Sequence, residues 1–379
     1  MIFKFSTSRF FYSFTSIITE EGELRMRAIN LFILLIIVCI AAQAKQTITK
    51  KITGDVITVS PNKKQLHTLG WPNDIINSIA VKTAAGIVLI DTQNSPANAR
   101  LIKSAVTDQF HDTTFVYVIN THGHSCHSGG NCVFDQDKIV AQANSIGEIK
   151  DYDALFLGQT VEYLRKKIYH KTTVLDTISQ SSAFADSINE AIALYKFYED
   201  DLINNYRARY PDQTFTDSLT LTPGNKTIKL MYMGKGHGDA DIAVYIKEDK
   251  VLCTGNLFHL GSYSEESMPS FYLNRENDID HWIKTLSSIL RKENEIDYVL
   301  TTHGKKAFGR DNIEFINEYC KLVREKVKEA KINNQPMESV QNIDLFKPLF
   351  KSYSNLININ QRVEEMHARN IGIIWKYIE

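Results

Sequence analysis

Three histidines and a cysteine fall within six residues of the segment Thr121-His122-Gly123-His124-Ser125-Cys126-His127, which directly follows the apolar run Phe115-Val116-Tyr117-Val118-Ile119. Imidazole nitrogen and thiolate sulfur are the usual ligands of zinc, and a strand ending in a turn is an efficient way to aim several of them at one point. His122 and His124, two residues apart at a strand end, can turn to one side of the chain and grip one ion. Cys126 and His127 then face a neighbouring position. Three of the chain's 11 histidines share this stretch, which makes ordinary loop histidines a poor account of it. A metal site is expected.

The elements that must position these ligands follow from periodicity. Apolar runs predict strands between 47 and 92, at 115–120 and near 138–142, with a helix near 95–109, an alternation that suits a layered α/β arrangement. Residues 180–208 place Phe184, Ile188, Ile192, Tyr195, Tyr198, Leu202 and Tyr206 at helical spacing. Such a stripe is expected to bury against the body. With the residues before it, it forms a helical insertion at about 145–215. Strands are expected again at 224–233 and 241–246. Residues 306–379 read as a C-terminal helical extension, with Lys347-Pro348 marking a break. Asp280, His281 and Trp282 are expected to begin a structural helix.

The histidine segment resembles the His-x-His-x-Asp-His signature of the metallo-β-lactamase superfamily, with Cys126 where aspartate normally stands. Other landmarks follow in the family's order. Gly86-Ile87-Val88-Leu89-Ile90-Asp91-Thr92 resembles its early strand ending in an aspartate. Gly236-His237-Gly238-Asp239-Ala240-Asp241 resembles the element that supplies a third histidine, and Val251-Leu252-Cys253-Thr254-Gly255-Asn256 the strand and turn that present a bridging aspartate. Leu300-Thr301-Thr302-His303-Gly304 is similar to the motif with the final histidine. The resemblance spans about 47–305 and implies a four-layer αββα metallo-β-lactamase fold within a domain at 45–305. The closing segment His367–Trp375 resembles that of exported or sulfur-related hydrolase-like members.

Carried over residue by residue, the resemblance assigns His122, His124 and His237 to one metal, and Cys126, His127 and His303 to a second. Asp241 and Asn256 are candidates for the layer behind the ligands. Two departures matter. Cys126 and Asn256 both stand where the family has carboxylates, which removes negative charge or hard oxygen from between two divalent cations, and like-charged ions repel. A thiolate at Cys126 favours zinc over manganese or magnesium. One firmly held zinc is expected, with a second, weaker site whose occupancy the sequence leaves open.

Zinc on three neutral histidines lowers the pKa of its bound water to about 7. The expected function is therefore that of an exported zinc-dependent hydrolase, in which this metal-bound water, as hydroxide, opens an amide, ester or thioester bond in a small-molecule substrate, a β-lactam or lactone included. His259 is a candidate to contact substrate or donate a proton, and Tyr263 and the loop through Tyr272 are candidates to line the pocket. The alternative is a metal- or ligand-binding relative whose catalysis is weakened or lost with the two carboxylates. Iron-dependent redox sulfur chemistry fits Cys126 less well than zinc does.

Cys126 has a competing reading, a disulfide with Cys132, since the chain is expected to be exported and oxidising compartments favour such bonds. Cys253 and Cys320 fall in apolar patterns and are expected in the core. Export is read from Arg25 and Arg27, the apolar stretch Leu31–Ile40, and the small-x-small site Ala42-Gln43-Ala44, so residues 1–44 are expected to be an extension and signal peptide. The mature chain would start near 45, in the periplasm or outside the cell. Met26 lies between the two arginines and is a candidate alternative start. The apolar stretch is shorter than the ~20 residues of a membrane-spanning helix, so no stable membrane span is expected after cleavage. With a formal net charge of −1, nothing in the sequence suggests a nucleic-acid surface, which would show as a clustered basic excess, and no nucleic-acid partner is expected. The oligomeric state is not readable from the sequence.

Overall fold

Alternating apolar residues on the strands feed two different cores, and this decides the architecture. The computed structural model describes residues 47–62, 75–178, 182–234, 237–257, 268, 279–291, 294–304, 307–357 and 359–378. The expected export segment, Cys39 and the candidates His259, Tyr263 and Tyr272 lie outside the described residues. The first strands are β1 (Thr47–Lys51), β2 (Val56–Pro61), β3 (Ser78–Thr83) and β4 (Gly86–Ile90). Helix α1 (Pro96–Phe110) follows, started by Ser95, whose side chain accepts from the Asn98 N–H, and by Pro96 in the first turn.

Next come β5 (Phe115–Ile119), the short helix α2 (Ser125–Ser128), a 3₁₀ turn at Asn131–Phe134 and β6 (Ile139–Gln142). Helix α3 (Ser145–Asp151) runs through a π-turn at Tyr152–Phe156 into α4 (Leu157–Leu175), and α5 (Ala183–Asn205) returns. The helices thus end at Asn205, and residues expected at the end of the insertion form a strand, β7 (Gln213–Phe215), that pairs in parallel with β6. The rest of the chain comprises β8 (Ser218–Leu221), β9 (Ile228–Tyr232), β10 (Ile242–Ile246), β11 (Val251–Cys253), α6 (Ile279–Ile289), β12 (Tyr298–Leu300) and β13 (Ala307–Phe308). Helices α7 (Arg310–Ile332), α8 (Glu338–Gln341), α9 (Lys347–Ser352) and α10 (Gln361–Tyr377) end it. Pro348 sits in the first turn of α9, so the expected break is a helix start. Among the described residues no helix is long and apolar enough to cross a membrane.

Strands β1 to β7 form one sheet in sequence order, and β13-β12-β11-β10-β9-β8 form the other. Val88 and Ile90 face a core shared with Ile242, Val244, Ile246 and Val251 of the second sheet. Their neighbours Ile87 and Leu89 face Ala99, Ile102, Val106 and Phe110 of α1. On the far side, Ala243, Tyr245, Leu252 and Val299 pack with Trp282 of α6 and with α7 and α10. The period-two alternation of a strand buried on both faces therefore produces four layers: helix, sheet, sheet, helix. Each buried Val, Leu or Ile contributes about 1.5–3 kcal/mol.

The C-terminal helices belong to this packing, since α7 joins α6, and α10 joins α7. The insertion is held through Tyr198 and Leu202 of α5, which pack with Leu164 of α4 and Ala97 of α1. The Tyr198 hydroxyl donates to Asn98 Oδ1 at 2.5 Å. Phe184, first in the apolar stripe, is instead exposed, because it precedes the stretch of α5 that meets the body.

Candidate metal centre

The ends of strands in both sheets converge where β4, β5, β9, β11 and β12 give way to loops. Two clusters form there. His122, His124 and His237 bring ligand atoms within 4.8 Å of one another, and Cys126, His127 and His303 do the same. The clusters adjoin, with the His122 and His127 rings 4.2 Å apart between centroids.

Asp91 organises both. It follows β4 with a φ of 63°, and its N–H donates to the Ile119 carbonyl at 2.8 Å, which sets its carboxylate beneath the histidine turn. The Thr121 N–H donates to Asp91 Oδ1, and the Thr121 hydroxyl to Oδ2, each at 2.8 Å. His127 Nδ1 lies 2.8 Å from the same Oδ2. A carboxylate only accepts, so His127 carries its proton on Nδ1 and keeps the Nε2 lone pair for the cluster. Because the Thr121 proton is committed to Asp91, His122 Nδ1, 3.2 Å from the Thr121 oxygen, must donate to it. One carboxylate thus sets the tautomer of a histidine in each cluster.

That leaves His122 Nε2 as a bare lone pair. It is fully buried, with no hydrogen-bond partner among the described residues. Burial first, then the neighbouring His127, His124, His237 and His303, hold this imidazole well below its ordinary pKa. A neutral, desolvated nitrogen with no donor facing it fits a cation, and the N₃ and SN₂ donor sets are of the kind that bind zinc.

Two more candidate ligands, His237 and His303, sit on loops that are held through their backbone. Asp241 Oδ2 accepts from the His237 N–H at 2.8 Å and the Gly238 N–H at 2.7 Å, which shapes the turn that carries His237. His303 bridges to Ile76, and the Asn77 side chain donates to the Gly304 carbonyl at 2.7 Å, stapling this loop to the start of β3. His303 Nε2 stands 3.4 Å from His127 Nε2. Asn256 accepts from the Thr302 hydroxyl at 2.8 Å, and its amide nitrogen lies 3.2 Å from His237 Nε2. A donor therefore occupies a place where the family pattern has a carboxylate.

No disulfide joins Cys126 and Cys132. The Cys132 thiol points instead at the Asn205 carbonyl, 3.7 Å away, because the 3₁₀ turn tucks it beneath the insertion. Cys253 and Cys320 are buried, and burial pushes both thiols up.

Two residues that no spacing rule singles out reach the centre. Tyr152, on the π-turn, is hydrogen-bonded to the side chains of Thr160 and Ser125 and lies near Cys126; burial is the main cause that pushes its hydroxyl up to about 12. Glu148 of α3 accepts from backbone N–H groups on either side of the first cluster. Neither carries a motif. The only local hint is the irregular helix itself, since π-turns gather at functional sites.

Residues 71–303 match the family model described as the metallo-beta-lactamase superfamily. The metallo-beta-lactamase type 2 of Bacteroides fragilis is 27% identical over 123 residues, 31% of this chain and 47% of that protein, so the chain spans about half the length of the curated relative it matches. Among solved structures, the stereoselective inverting sec-alkylsulfatase Pisa1 from Pseudomonas sp. is similar at a TM-score of 0.55 and 12% identity, over 86% of this chain and 49% of that one; the likeness is one of fold. A metallo-beta-lactamase from Pontibacter korlensis aligns with a TM-score of 0.44 and 16% identity, over 71% of this chain and 96% of that one.

Proposed function

The chain belongs to the metallo-β-lactamase superfamily, and on that premise we propose that it is an exported zinc-dependent hydrolase that opens an amide, ester or thioester bond, a β-lactam or lactone ring included. The observation that carries this reading is the pair of adjoining clusters, with the buried His122 Nε2 bare within one of them. His122, His124 and His237 would hold one zinc, and Cys126 as thiolate, His127 and His303 a second. When bound, zinc supplies Lewis acidity, which activates a water for attack and draws charge from the carbonyl oxygen.

The chain's own residues do the positioning. Asp91 and Thr121 keep the imidazole protons of His127 and His122 on the nitrogens that face away from the clusters. Asp241 holds the His237 turn by two N–H groups. The Cys126 thiolate selects a borderline-soft ion over magnesium or manganese. Export adds the expectation that protein recovered from the periplasm or medium begins at Lys45, which N-terminal sequencing reads.

A second reading, a metal-binding relative with weakened catalysis, is favoured by one contact. The Asn256 amide contends with a metal for His237 Nε2. Metal analysis with a turnover panel decides between them. One or two equivalents of zinc, with hydrolysis of a chromogenic cephalosporin, a lactone or a thioester that a chelator abolishes, supports the hydrolase. Tight zinc with no turnover across the panel supports the binding protein, and failure to retain any transition metal refutes both.

A further inference from the structure

We infer that Glu148 is a positioning residue for the first metal, its buried carboxylate locking the turn that carries His122 and His124 to the loop that carries His237. This rests on the proposed metal centre and extends it to a residue outside both ligand sets. Gly123 lies between the two histidines, and its N–H donates to Glu148 Oε2 at 2.5 Å. Asp239 lies two residues beyond His237, and its N–H donates to Oε1 at 2.6 Å. The two segments are far apart in sequence, and the carboxylate spans them with one oxygen each.

Independent contacts show that the close approach is built in. A Cβ on Gly123 would come within 2.6 Å of Glu148 Cβ and of the Ser145 carbonyl, and a Cβ on Gly238 within 2.6 Å of Glu148 Oε1. Gly123 is glycine because α3 rests directly on its backbone, whereas at Gly238 the close neighbour is the end of the Glu148 side chain itself. The Asn144 side chain, just ahead of α3, donates to the Asp239 carbonyl at 2.8 Å. The Asp239 residue is thus gripped at both its N–H and its C=O by the start of one helix.

The charge matters as much as the reach. Glu148 is 6% exposed, and each of its two oxygens accepts a backbone N–H, the pattern of a carboxylate acceptor. Cys126 and Asn256 leave the ligand sets without a carboxylate. Glu148 returns negative charge one layer behind the histidines, where it favours a cation without ligating it.

Zinc and cobalt, each alone, test this on the full chain. Competition with a chelator reads the affinity of the histidine cluster. The thiolate-to-cobalt charge-transfer absorption reads the cluster that holds Cys126. Glu148→Gln keeps the size but turns an amide donor toward one N–H, and Glu148→Ala removes the lock. Both are expected to weaken metal at the His122, His124 and His237 cluster about 10–100-fold while the thiolate–cobalt absorption persists. Parent affinity at that cluster in both variants overturns the inference alone. So does parallel weakening of both clusters in step with a lowered melting temperature of the metal-free chain, which marks a merely structural role. A parent chain that binds neither metal overturns the zinc reading, and this inference with it.

Discussion

Replacing Asp91 by asparagine tests whether one carboxylate governs both clusters. Asp91 is fully buried and accepts three hydrogen bonds of 2.8 Å, from the Thr121 N–H, the Thr121 hydroxyl and His127 Nδ1. An amide cannot accept all three. With its oxygen toward His127, its NH₂ opposes the Thr121 N–H and leaves a buried donor unsatisfied, at about 1–3 kcal/mol. With its NH₂ toward His127, that imidazole must move its proton to Nε2, the atom facing His303, and a ligand is lost. Either way the charge that makes His127 a stronger donor is gone. The expected outcome is a loss of about 10–100-fold in metal affinity at the Cys126, His127 and His303 cluster, or about 1.4–2.7 kcal/mol. A smaller loss is expected at His122, which feels Asp91 only through Thr121. Chelator competition and the thiolate–cobalt absorption read the two separately, and urea unfolding of the metal-free chain reads the stability cost. Parent affinity at both clusters, or a loss confined to the His122 cluster, would refute the tautomer argument.

Asn256→Asp removes the N–H that contends for His237 Nε2, keeps an acceptor for the Thr302 hydroxyl and adds negative charge between the clusters; about tenfold tighter metal binding is expected by chelator competition, and weaker binding would count against the role given to Asn256. His367, buried against Tyr319 and the Val340 carbonyl, is held by desolvation at a pKa of about 4. Its folded pKa lies below the unfolded value of about 6.5, so its contribution is fully present above that value and is lost as pH falls toward about 4, up to about 3 kcal/mol. Urea midpoints between pH 7 and pH 4 should fall more steeply for the parent than for His367→Gln, and equal slopes would contradict this.

Several elements were legible because their causes are local. The helix expected near 95–109 is started locally by the Ser95 cap and by Pro96, the apolar run Ile87–Ile90 falls within the strands expected between 47 and 92, and the six-residue cluster at 122–127 declares its own chemistry. Asp241 was likewise expected in the layer behind the ligands, alongside the family resemblance, rather than among them. The C-terminal helices were legible from spacing, but not that Pro348 begins one of them.

What the amino-acid order determined by itself was the ligand chemistry: nitrogen and sulfur donors at strand ends, with Cys126 and Asn256 where carboxylates are usual. Only the tertiary structure decided which atoms serve it. Asp91 acts on His127 directly and on His122 through Thr121, Cys132 turns to the Asn205 carbonyl rather than to Cys126, and Glu148 joins Gly123 to Asp239. The reason is physical. A carboxylate that grips backbone N–H groups recognises a position in space, every non-proline residue offers such a group, and no residue type in the sequence marks the partner.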